Sequence, residues 1–182
     1  LLDHFDIDAS EKRLLSYHAQ SKASREDEII QLLEGGTSVT LVSDRGTPGI
    51  SDPGSRLIQR AIALNVLIVP IPGAAAFVTA LTASGADTSA FEYVGFIPHK
   101  KGRQTLFAKM MEADHTIVAY ESPHRLLKTL EALKDCPKQL IVARELKKMH
   151  EEFVRGTCAE VFAEFAGRDK ILGEFVLIVD AR

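Results

Sequence analysis

Tryptophan is missing from this chain and aromatic residues make up only 7% of it, so side chains that could stack on a nucleic-acid base are scarce. Cysteine occurs twice, at Cys136 and Cys158, far apart and outside any CxxC pattern. That excludes a disulfide framework and reads as two buried or incidental thiols in a reducing cytoplasm. No apolar run approaches the roughly 18 residues a membrane helix needs, and no signal-peptide pattern opens the sequence. Charge of one sign is not in excess either, since the formal net charge is −3 over 182 residues. A global basic field is therefore excluded, and any contact with RNA has to come from a local patch. No cluster of His, Cys and Asp has metal-ligand spacing, so no metal is expected. Sequence repeats and low-complexity tracts are also lacking.

What is present is a chain of 46% hydrophobic and 26% charged residues, long enough to bury a core. Short apolar runs alternate with helical periodicity, which predicts an α/β fold. Strands are expected at residues 13–18, 39–43, 66–69, near 93–94, and at 116–120, 140–143 and 175–179. A helix is expected from Ser24, read as its N-cap, through Ile29, Ile30, Leu32 and Leu33 to the Gly35-Gly36 stop. Further helices are expected at 57–64, 74–83, 104–112, 125–133 and 159–165. The small, polar run SGADTS at 84–89 separates two sets of strands and predicts two α/β domains, 1–87 and 88–182. Residues 1–5 read like the end of a helix, and no Met precedes them.

The richest segment is VSDRGTPGISDPG at 42–54, which carries three glycines and two prolines within residues 44–54. Such an irregular backbone at the end of a strand forms the kind of crevice in which α/β proteins bind ligands. It matches neither GxGxxG nor GxxxxGK[ST], so dinucleotide and P-loop readings fail. The bland alternative is an elaborate structural turn. PIPGAAA at 70–76 is a second strand-to-helix corner, whose tiny side chains would let a ligand approach backbone amides at a helix start. A tight corner packed by alanines explains it equally well.

These two segments, followed by EYVGFIP, YESPHRL, ARELKKMHEE and GEFVLIV, stand in an order and spacing that resembles the ribosomal RNA small-subunit 2′-O-methyltransferase family, within the tetrapyrrole (corrin and porphyrin) methylase superfamily. The resemblance covers nearly all of the chain. It implies two α/β domains with S-adenosylmethionine in the cleft between them, a homodimer, and a cytidine ribose of small-subunit ribosomal RNA as acceptor. Relative to that family, the first strand with its PTPIGN-like loop, the AEDTRHT-like segment and a C-terminal extension are not among these residues. Arg45 stands where the family usually has Ala, Ala75 where Ser is common, and Lys147 where Thr is usual. An HxHN-like stretch is only partly matched by HAQS at 18–21.

Carried over motif by motif, the resemblance implies cofactor contacts at Asp44, Arg45, Gly46, Thr47 and Ile50, at Gly73, Ala75 and Ala76, and at Tyr120, Glu121, Arg144 and Leu146. Methyl transfer is an in-line displacement in which positioning supplies much of the rate, and a base that accepts the ribose proton would help. Glu121, Glu145 and Glu174 are the candidate bases, with ion pairs to Arg125, Arg144 or Lys148 as the structural alternative. The basic loop HKKGR at 99–103 adjoins the expected cleft and could grip phosphates. Lys100, Lys101 and Arg103, with His124, Arg125 and Lys148, are therefore the candidate RNA contacts, against the alternative of a solvated loop and a structural histidine. Two rival functions remain: methylation of a tetrapyrrole or corrin precursor, and a non-catalytic RNA-binding protein with a degenerate cofactor site.

Overall fold

The structure, a computed structural model, describes residues 2–10, 12–18, 20 and 23–182. Part of the HAQS stretch and the first residue thus lie outside the described residues. Two units, Leu1–Pro72 and Gly73–Arg182, each hold together by their own contacts.

The first unit is built on α1 (Ala23–Glu34) and α2 (Ser55–Ala63). Ser24 sits in the first turn of α1 and is not its cap, because the helix already includes Ala23. Both helices stop in the same way. Gly36 takes φ 81° after α1, and Asn65 takes φ 56° after α2. The next amides, Thr37 and Val66, donate back to the Leu32 and Ala61 carbonyls at 2.9 and 3.0 Å. This left-handed stop satisfies carbonyls that the helix end leaves bare. Ile29, Ile30, Leu57 and Ala61 form a small buried cluster, edged by Leu15, Tyr17, Leu33, Val66 and Ile68.

A correction falls on the strands expected at 13–18, 39–43 and 66–69: among the described residues, the first unit contains no strand. An apolar run becomes a strand only when a neighbour completes its ladder. Here the alternating residues Leu67, Val69 and Ile71 are 84%, 66% and 77% exposed.

The second unit carries a five-stranded sheet in the order β1-β2-β5-β3-β4, with β1 at Phe91–Phe96, β2 at Thr116–Glu121, β3 at Gln139–Arg144, β4 at Glu152–Thr157 and β5 at Phe175–Val179. β1 and β2 are parallel, β5 is antiparallel to both β2 and β3, and β4 is antiparallel to β3. The central strands are continuous apolar runs because helices cover both faces. On one face α4 (Arg103–Glu112), α5 (Pro123–Leu133) and α6 (Cys158–Ala166) enclose Ile117, Ala119, Leu140, Val142, Leu177 and Val179. On the other, α3 (Ala76–Ser84) packs through Ala80 and Leu81 on Val118, Ile141, Ala143, Val176 and Ile178. Pro123 starts α5, and a reciprocal Thr157–Glu160 capping box starts α6. β4 was not expected. It is a half-buried edge strand whose Glu152 and Arg155 break the apolar signal.

The segment 84–89, expected as a seam between domains, is tied to the second unit at many points. Arg155 donates to the Ala83 and Ser84 carbonyls, Arg182 to the Gly85 carbonyl, Thr116 Oγ1 to the Asp87 carbonyl, and the Asp87 amide to buried Asp180. These bonds hold the segment within the second unit, Gly73–Arg182. No helix among the described residues is long and apolar enough to cross a membrane.

Candidate functional site

Since β5 is antiparallel to β2 and β3, and β1 is parallel to β2, strands β1, β2 and β3 all run the same way. Their carboxyl ends, at Phe96, Glu121 and Arg144, therefore share one edge of the sheet with Glu174 just before β5. The motif segments GFIP, YESPHR, ARELKK and GEF converge there. Ligand crevices of α/β sheets form at such carboxyl ends.

Glu121, expected as a base or cofactor contact, is the anchor of a buried clamp. Its side chain is fully shielded from solvent. The carboxylate accepts from Arg125 Nη2 at 2.7 Å, Thr129 Oγ1 at 2.6 Å, the Ser122 amide at 2.7 Å and Arg103 Nη1 at 3.5 Å. The two guanidiniums reach onward. Arg125 donates to the Ile97 carbonyl at 2.8 Å, and Arg103 to the Pro98 carbonyl at 3.1 Å and to Thr129 Oγ1 at 2.6 Å. Arg103 and Arg125, expected to contact RNA, are thereby engaged in fixing the path of the chain after β1. Thr129 was missed by sequence reasoning. Its place on the buried face of α5, one turn beyond Arg125, was the available signal.

Glu145 and Glu174 meet across a turn. Lys148 Nζ donates to Glu145 Oε1 at 2.9 Å and to Glu174 Oε2 at 2.8 Å, and the Glu174 amide donates to Glu145 Oε1 at 2.9 Å. Glu145 and Lys147 both hold positive φ, at 51° and 61°. Such backbone is costly for residues with a side chain and persists only where the surroundings hold it. Gly173, at φ 108°, makes room: a Cβ there would lie 2.7 Å from Glu145 Cγ. Arg144 is occupied nearby, donating to the Leu172 carbonyl at 2.7 Å and pairing with Glu152 at 3.2 Å. Leu146 packs, half-buried, against the α3 side of the core.

Tyr120 joins the sheet edge to the start of α3. Its hydroxyl accepts from the Phe77 amide at 3.1 Å, and burial pushes its pKa up to about 12. Residues 73–76 before and at that helix start are Gly and Ala, with Ala75 as an N-cap that offers no side-chain bond. Phe77, Tyr93, Tyr120 and Phe96 form a chain of ring contacts: Phe77 and Tyr93 stack at 4.2 Å, and Tyr120 meets Tyr93 and Phe96 edge-on at 5.2 and 5.3 Å. Lys100 and Lys101 are exposed in the loop that the clamp secures, and His124 is exposed in the first turn of α5.

In the first unit, Ser43 Oγ donates to the Arg45 and Gly46 carbonyls at 3.3 and 3.1 Å, and the Ile50 amide to the Thr47 carbonyl at 3.3 Å. Gly46 and Gly49 take positive φ, which lets the loop fold on itself. Asp44, Arg45, Gly46 and Ile50 are exposed on it, and Thr47 is half-buried. Among the described residues no group of three or more His, Cys, Asp or Glu could hold a metal ion.

Comparison with known proteins gives three results. The family model described as Tetrapyrrole (Corrin/Porphyrin) Methylases matches residues 2–161. Ribosomal RNA small subunit methyltransferase I of Synechocystis sp. is 42% identical over 183 residues, which cover 98% of this chain and 64% of that protein. Proteins of the same name from Halalkalibacterium halodurans and Hydrogenobaculum sp. are 43% and 40% identical, with 62% and 78% of their lengths covered. The chain thus spans less than two thirds of the first two of these curated relatives. Among solved structures, the methyltransferase CobJ is similar with a TM-score of 0.61 at 19% identity, covering 89% of this chain and 72% of the other. Uroporphyrin-III C-methyl transferase from Thermus thermophilus, complexed with S-adenyl homocysteine, follows at 0.56 and 18%, covering 90% and 75%. At these identities the structural likeness shows the fold alone.

Proposed function

We propose that this chain, which belongs to the tetrapyrrole (corrin/porphyrin) methylase family and within it to the ribosomal RNA small subunit methyltransferase I branch, takes part in S-adenosylmethionine-dependent methylation of a cytidine 2′-hydroxyl in small-subunit ribosomal RNA. The observation that carries this reading is the 40% identity over 182 residues to a relative of which the chain covers 78%. The gathering of four motif segments at one sheet edge supports it.

S-adenosylmethionine, when bound, supplies an electrophilic methyl group. The residues present fit such a ligand: residues 73–76, leading into α3, have small side chains that let a ligand approach the backbone, and the Tyr120 hydroxyl fixes where the helix begins. Gly73, Ala75, Ala76, Tyr120 and Leu146 would hold it in the second unit. Lys100, Lys101 and His124 would meet the RNA backbone. Glu121 positions the chain after β1. Glu145 and Glu174, at the sheet edge, are the carboxylates suited to take the ribose proton. A homodimer working in the cytoplasm completes the proposal.

The test is incubation with labelled S-adenosylmethionine and either unmethylated small subunits or tetrapyrrole precursors, followed by nucleoside analysis of the RNA. Label in 2′-O-methylcytidine is the expected result. Label in the tetrapyrrole, or in neither, overturns the reading. Sedimentation of the same preparation checks the dimer.

A further inference from the structure

β1 does not keep a regular register along β2. Tyr93 pairs with Val118 and Phe96 with Tyr120, so three steps on β1 oppose two on β2. Gly95, at φ 69°, lies within the extra step. Regular alternation would put Phe96 on the face of Val94, which packs into the core under α4, α5 and α6. The bulge turns it instead to the face of Tyr93 and Tyr120. Bulges of this kind re-aim a side chain and are frequent at sheet edges near functional sites. The outcome here is a large apolar ring left 56% exposed at the carboxyl end of an edge strand.

We propose that Phe96 is a stacking platform for an unpaired base of single-stranded RNA; this rests on the RNA reading above and adds a residue to it. Three features support that occupant. The ring is braced edge-on by Tyr120, whose own hydroxyl is bonded to the start of α3, so the platform is rigid. The chain leaving it is fixed at the next two carbonyls, Ile97 by Arg125 and Pro98 by Arg103. Beyond those anchors stand exposed Lys100 and Lys101. An aromatic face beside cationic side chains is how proteins hold single-stranded nucleic acid, the ring taking a base and the cations the adjoining phosphates. A duplex offers no free base face to such a ring.

Because the chain has no tryptophan, the Phe96→Trp variant carries a single indole whose emission reports on this position alone. A short single-stranded RNA of small-subunit sequence should quench it, whereas the same sequence as a duplex, inorganic polyphosphate and S-adenosylmethionine should not. Phe96→Ala and Phe96→Leu should each weaken binding of the single strand at least tenfold, and Phe96→Tyr should retain it, following the usual worth of one stacked base. Unchanged affinity in Phe96→Ala overturns the proposal, as does equal quenching by duplex or polyphosphate. A shift of oligomeric state in Phe96→Ala with RNA affinity intact also overturns it, marking a contact between copies. A Lys100→Ala/Lys101→Ala double variant separates the two levels. If it weakens RNA binding and Phe96→Ala does not, the platform falls and the RNA reading stands; if neither matters, both fall.

Discussion

The two units use the same device to different ends. In the first, buried Glu26 accepts from the Tyr17 hydroxyl at 3.1 Å and pairs with Arg56 at 3.0 Å and Arg60 at 3.2 Å. In the second, Glu121 binds a hydroxyl and two arginines in the same manner. Around Glu26, however, the apolar cluster is small, so the carboxylate links α1 to α2 and to the segment before them. Around Glu121 a large core already holds the sheet and helices. There the carboxylate aims one loop. A buried ionic cluster thus acts as a general fastener where hydrophobic burial is scarce and as a local guide where it is plentiful.

Removing the more buried carboxylate should have the larger effect on stability. Glu121→Gln leaves Arg103 and Arg125 without a charge partner in a shielded site, which costs about 3 kcal/mol or more. Chemical denaturation measures the loss. Hydrogen exchange should nonetheless show opening confined to residues 97–103 and the start of α5. General loss of protection across the sheet would mean that Glu121 holds the whole unit, and the contrast with Glu26 would collapse.

Glu26→Gln should cost less in energy and spread further. Arg56 and Arg60 are better solvated than their counterparts, so water takes over part of their pairing. A loss of about 1–2 kcal/mol follows from the weakened bonds to a buried acceptor. Amides of both α1 and α2 should exchange faster together, while the sheet of the second unit stays protected. Exchange limited to one helix would show that the small apolar cluster, not Glu26, joins them.

The third carboxylate of this type, Glu152 on β4, sets the lower bound. It pairs with Arg168 at 2.5 Å and Arg144 at 3.2 Å and is about a third exposed. Arg168, and then Arg144, holds its pKa below the ordinary 4.5. A carboxyl depressed in the folded state adds stability above its unfolded value, and that stability fades as pH falls through the folded value. Denaturant midpoints measured from pH 6 down to pH 3 should therefore drop a little more steeply for the natural chain than for Glu152→Gln. Parallel profiles would show that the exposed pair contributes nothing measurable.

The fold was most legible where burial is complete. The runs at 117–120, 140–143 and 175–179 are apolar without interruption because each lies between two other strands and under helices on both faces. Leu126, Thr129, Leu130 and Leu133 likewise trace the buried face of α5. Legibility failed in the first unit, where residues 66–69 have the composition of a strand, and composition cannot say whether a partner strand is at hand. Motifs single out Tyr120, Glu121 and Lys148 in the sequence, but not what each of them touches. That Glu121 meets Thr129 and Arg103 depends on how α4 and α5 pack beside the end of β2. The turn of Phe96 toward Tyr120 was not legible, because a bulge changes which face a residue occupies without changing the apolar pattern that precedes it.

The central place of β5 also sets the order in which this molecule can come into being. β1 with β2, and β3 with β4, are joined into one sheet only by β5, the last of the five strands to be synthesised. A nascent chain that has not yet released residues 175–179 holds two separate strand pairs, each with a bare edge and apolar faces. Pairings over such sequence distances form slowly, and unpaired edges are what chaperones and aggregates both recognise. A chain cut before residue 175 should therefore stay protease-sensitive throughout the second unit, and the chain that includes residues 175–179 should be resistant.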